Sequence, residues 1–232
     1  MRDALAARVN DRRVILGGAA AMTAAAWAYL AVSAHPGGFA FAFIAWTAMT
    51  LAMMMPAVTP WIVVLSTDDR SAPGAAPVFL LGYFLVWMVY AATAAGAQVG
   101  VAQAGLVPHG SRVGTAVGGA VLLGAGAFQF TPLKAACLRH CRSPLLYFMR
   151  AWRDGPVGIL SLGLKHGLYC LGCCWALMAV AFAVGVMNLA WMAAITVLVC
   201  IENGARHGPR MGRVAGGLLA GWGTWLIVSG LS

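Results

Sequence analysis

The sequence predicts an all-α membrane protein: one domain of seven membrane-spanning helices, N-terminus in the cytoplasm and C-terminus outside. Three observations predict it. Of the 232 residues, 62% are hydrophobic and 9% charged, against roughly 25% charged in a soluble domain. The apolar residues gather in runs close to the ~20 residues that a helix needs to cross a bilayer. The basic residues gather between alternate runs, as the positive-inside rule requires of cytoplasmic segments. With the N-terminus inside, the segments 1–13, 66–77, 131–156 and 205–213 hold 13 of the 15 Lys and Arg; Arg112 lies outside and Lys165 within a span. That layout assigns the net charge of +9 to topology, not to a nucleic-acid partner.

The first span, 14–34, follows Arg2, Arg8, Arg12 and Arg13. It is longer than the ~7–15-residue core of a signal peptide, so it reads as an uncleaved helix. His35-Pro36-Gly37-Gly38 is a tight turn. The second span, 39–65, carries Met53-Met54-Met55-Pro56 and Pro60. The third is 78–101 and the fourth 113–130. A basic segment, 131–156, follows on the cytoplasmic side. The fifth span, 157–186, ends at a Met187-Asn188 turn before the sixth, 189–204. A basic loop with Arg206, Arg210 and Arg213 precedes the seventh, 214–231. Glycines four apart let helices approach closely in lipid; Gly96/Gly100, Gly114/Gly118, Gly163/Gly167, Gly212/Gly216 and Gly217/Gly221 have that spacing. No linker divides the chain, and no nucleotide-binding or hydrolase motif is present.

The chemistry gathers on the fifth span. His166, Cys170 and Cys173 follow i, i+4, i+7 and share one helix face. Cys174 and Met178 extend that face at its edge. Ionisable groups at this depth are costly and mark functional sites by default. Thiolate and imidazole suit Cu(I) or Zn. On the second span Trp46, Met49, Met53, Pro56 and Pro60 form a stripe at similar depth, and thioethers suit Cu(I). Pro56 frees the carbonyl of Ala52, which must find another partner in the membrane. The expected metal ligands are Met53, His166, Cys170, Cys173, Cys174 and Met178, with Met49, Glu202, Cys137 and Cys141 secondary. The bland alternatives are that methionines fill packing gaps and that buried cysteines act as small hydrophobes. Cu(I) is the expected ion and zinc the alternative; no catalytic residue or organic cofactor is assigned.

Two further features need partners. Lys165 and Glu202 lie in neighbouring antiparallel spans, so Lys165 is expected to pair with Glu202 or another polar group in the cytoplasmic half of the bundle; the alternative is that it snorkels to the inner surface. Cys137 and Cys141 lie four apart in the basic segment, beside Arg139, His140 and Arg142. They are a point of metal uptake, a redox pair, or part of a basic surface helix on anionic lipid. His35, His109 and His207 are isolated and carry no assignment.

The combined pattern is similar to a bacterial family described only as predicted metal-binding integral membrane proteins of unknown function. The matching residues are Trp46-x-x-Met49 with Ala52-Met53-Met54-Met55-Pro56 and Pro60; Tyr83 and Trp87; and Gln129 with Pro132-Leu133-Lys134-x-x-Cys137-x-x-x-Cys141-Arg142-x-Pro144. They continue with Gly163, His166-Gly167-x-x-Cys170-x-Gly172-Cys173-Cys174-Trp175-x-x-x-Met178, Gly185-x-Met187-Asn188-x-x-Trp191-Met192 and Glu202. Asn203 stands where that family often has a basic residue. The resemblance implies metal binding without fixing metal or reaction. The expected function is Cu(I) handling in the bacterial cytoplasmic membrane, with delivery to or from a partner protein. The rivals are a membrane copper oxidoreductase, a transmembrane thiol–disulfide relay and a structural subunit.

Overall fold

The computed structural model describes residues 2–33, 38–68, 70–72, 74–105, 115–186 and 188–229, with 2–11 and 115 described by backbone alone. The turn at His35, the loop with His109 and Arg112, Gly114 and Met187 lie outside these residues. Among the described residues every regular element is helical. The helices are α1 (Arg2–Val32), α2 (Phe39–Thr67), α3 (Ala75–Gln103), α4 (Thr115–Phe128), α5 (Pro132–Cys141), α6 (Pro144–Ala151), α7 (Gly155–Val184), α8 (Leu189–Gly204) and α9 (Gly208–Ser229).

Four of them are long and apolar enough to cross a membrane: Arg12–Val32, Phe39–Thr67, Ala75–Gln103 and Gly155–Val184. The pair Ala116–Phe128 and Pro132–Cys141, bent by 65°, adds a fifth if it is one broken span. The sequence pattern predicts seven. The remainder are α8 and α9. The 16 residues of α8 reach about 24 Å at 1.5 Å per residue, short of the ~30 Å hydrocarbon core.

The basic segment 131–156 folds into α5 and α6. Thr131 caps α5 by accepting from the Lys134 N–H at 3.2 Å, and Pro132 opens the helix, a position where its missing N–H costs nothing. Lys134, Cys137, Leu138 and Cys141 are buried. They repeat at i, i+3, i+4, i+7, so one face of this basic helix turns inward. It packs on α7.

The bundle centres on α7, which touches α3, α4, α5 and α8, while α2 packs on α1, α3 and α8. Close approach is made by glycines. A Cβ at Gly163 would collide with the Phe79 carbonyl, and one at Gly167 would lie 2.9 Å from the Tyr83 carbonyl; α3 therefore rides on the bare side of α7. Between α4 and α9, a Cβ at Gly126 would lie 2.6 Å from Gly216 O, and one at Gly223 2.6 Å from Gly119 O. The expected pairs Gly96/Gly100 and Gly217/Gly221 have open space around them and join no described helices.

The Ala52 carbonyl freed by Pro56 accepts from the Trp27 indole N–H at 3.2 Å, so α1 supplies the partner that the membrane cannot. At the α2–α3 connection Arg70 hydrogen-bonds Asp68, which holds that carboxyl below its usual range. The Arg70 guanidinium also sits 4.3 Å over the Trp152 ring.

Candidate metal centre

Cys170 and Cys173 project from α7 into the core, 2% and 0% exposed. The bent α5 brings Cys141 to them. The sulfurs of Cys141, Cys170 and Cys173 all lie within 4.8 Å of one another, and Cys141 Sγ is 3.7 Å from Cys173 Sγ. Among the described residues this is the group of His, Cys, Asp or Glu side chains able to hold a metal. A metal about 2.3 Å from each sulfur sets neighbouring sulfurs about 4 Å apart, so the triad needs little adjustment. Cys174 adds a sulfur 3.3 Å from that of Cys173. All six cysteines are free thiols.

The surroundings fix these sulfurs. Tyr83 Oη lies 3.1 Å from Cys170 Sγ. The Trp61 indole N–H donates to the Cys141 carbonyl at 3.2 Å. Lys134 Nζ donates to the Cys173 carbonyl at 2.8 Å and to Glu202 Oε2 at 2.6 Å. The Arg142 guanidinium donates to the Glu202 carbonyl. Gly212 leaves the room that the Glu202 carboxylate occupies. An ion pair at 3% and 1% exposure therefore ties α5 to both α7 and α8.

Residues 43–226 match the sequence model of a family, PpoB2, described as copper chaperone. The chain belongs to this copper-chaperone family. No curated protein and no solved structure matches the chain. The copper-chaperone match runs from within α2 into α9 and takes in the triad, Tyr83, Lys134 and Glu202.

The structure of this copper-chaperone family member divides the expected ligands into groups. Cys170 and Cys173 stand together, Cys174 adjoins them, and Cys141 moves from a secondary place to the centre. Cys137 is buried but outside the triad, its sulfur packed over Gly172, where a Cβ would come within 2.7 Å. His166 is 2% exposed yet outside the triad as well. Its ring stacks on Trp61, centroids 3.7 Å apart, with Tyr83 at 5.3 Å and Phe79 at 5.8 Å. Its Nδ1 is buried without a hydrogen-bond partner. Met49, Met53 and Met178 line a different cavity. Glu202 is buried on the α8 face with Met192 and Val199, and Cys200 lies off that face, half-buried.

The expected Lys165–Glu202 pair does not form. Glu202 takes Lys134 instead, and Lys165 lies exposed on the outer side of α7. Adjacent antiparallel helices do not make every polar pair on them face each other: Lys165 is one residue, or 100°, from the buried His166. The signal for Lys134 was its place in the inward i, i+3, i+4, i+7 pattern of α5.

Proposed function

We propose that the chain binds Cu(I) through the thiolates of Cys141, Cys170 and Cys173, with Cys174 available as a fourth sulfur, and passes the ion to a partner protein. One observation carries the reading: three buried sulfurs from two helices converge within 4.8 Å in a member of a copper-chaperone family. Soft sulfur ligands suit Cu(I). A four-sulfur set suits zinc as well, and membership of a copper-chaperone family favours copper. The chain resides in the bacterial cytoplasmic membrane, N-terminus inside and C-terminus outside, with α8 and α9 completing seven spans; the basic-residue count supports that orientation.

A thiol–disulfide relay is the second reading. The observation favouring it is that Cys173 has two sulfur neighbours, at 3.3 and 3.7 Å. Copper content and free-thiol count on one preparation of purified protein separate the two. Copper binding with all thiols reducible and unpaired supports the chaperone reading. A metal-free protein that cycles between paired and free cysteines supports the relay.

A further inference from the structure

We infer that the chain holds a second Cu(I) site, built of thioethers alone, in the cavity lined by Met49, Met53, Met178 and Met192. The inference rests on the copper reading above but on none of its ligands. The cavity measures about 10 Å³, room for one water-sized sphere and therefore for one small ion. Three helices supply its methionines: α2 gives Met49 and Met53, α7 gives Met178 and α8 gives Met192. Each is between 0% and 2% exposed. The rest of the lining is Ala181, Val184, Gly185, Asn188, Trp191 and Ile195. Among the described residues it contains no carboxylate and no imidazole, so a hard cation has little to hold it.

Packing alone explains this arrangement poorly. Methionine is flexible and closes irregular gaps, yet here four of them surround one. A thioether carries no proton to lose, so such a site keeps its ion where acid would empty a thiolate site. Its placement gives it a role. Met178 follows Cys173 by five residues on α7, about 7.5 Å along the axis. Beyond it α7 ends at Gly185, whose φ of 104° suits glycine, and Asn188 caps α8. An ion leaving the cysteines towards that turn meets the methionines next.

The test titrates anaerobic, detergent-purified full-length protein with Cu(I) to saturation. The wild type should take up two ions. A variant with Cys141→Ser, Cys170→Ser, Cys173→Ser and Cys174→Ser should keep one, and that one should persist from neutral to about pH 5, since no proton competes for it. Met53→Leu with Met192→Leu in the native cysteine background should lower two to one; leucine keeps the volume and removes the sulfur, so this arm decides even if the serine variant fails to fold. The inference is overturned if the leucine variant still binds two, or if the folded serine variant binds none while the wild type binds one. A wild type that binds no copper overturns the copper reading as well.

Discussion

Lys134 and Glu202 form an ion pair across 2.6 Å, 68 residues apart in sequence, and the same ammonium holds the Cys173 carbonyl. That single side chain bridges the helix that carries Cys141 and the helix that carries Cys170 and Cys173. Breaking one side of a buried pair leaves an uncompensated charge, at a cost of about 3–5 kcal/mol. Glu202→Gln should therefore lower thermal stability in detergent markedly. Lys134→Met combined with Glu202→Leu should recover most of that loss, because apolar residues replace such pairs at little cost. The double variant should still hold copper more weakly than the wild type, since α5 has lost its bond to Cys173. Equal copper retention in the double variant would show that the pair does not position the triad.

The α3–α7 contact predicts a sharp contrast between glycines. Gly163→Ala places a methyl group against the Phe79 carbonyl and should cost about 1–3 kcal/mol through overpacking. It should also loosen Tyr83 from Cys170. Gly96→Ala meets nothing and should be neutral or stabilising by about 0.5–1 kcal/mol, the helix preference of alanine. Thermal unfolding of the two variants side by side checks this. Equal stability would mean that α3 and α7 do not pack through Gly163.

The orientation of the basic residues predicts a C-terminus outside the cytoplasm. A reporter that works only in the cytoplasm should stay silent when fused after α9 and should be active when fused before α1. A strong cytoplasmic signal at the C-terminus would contradict seven spans and favour a topology in which α8 or α9 fails to cross.

The four long apolar helices and the α7 cysteine face were legible in the sequence because both follow from local rules: apolar length for the spans and the 3.6-residue period for Cys170 and Cys173. The Met49, Met53 and Met178 set was legible by softness, but its separation from the cysteines was not, because helical spacing says nothing about which face of α2 meets which turn of α7. Cys141 was read as a secondary ligand in a basic segment apart from the fifth-span cysteines. Its true place depends on the 65° bend between α4 and α5, which folds a polar-looking segment back into the bundle. Three basic residues on α5 and at its end, Lys134, Arg139 and Arg142, masked an inward face of only four residues. The Lys134–Glu202 pair was hidden for the same reason. Gly126 and Gly223 were missed because the α4–α9 contact uses glycines seven apart, Gly119 with Gly126 and Gly216 with Gly223, where the four-residue spacing was sought.

The proposed copper site needs Cys141 together with Cys170 and Cys173. The most direct measurement is the copper that purified protein retains against a competing Cu(I) chelator, compared at equal expression for the wild type, Cys141→Ser and Cys170→Ser with Cys173→Ser. Thiolates hold the ion more strongly than neutral thioethers, so the retained copper reports the cysteine site. Cys141→Ser alone should lose that copper as completely as the α7 double variant. Full retention by Cys141→Ser, with loss in the double variant, would contradict this and confine the site to α7.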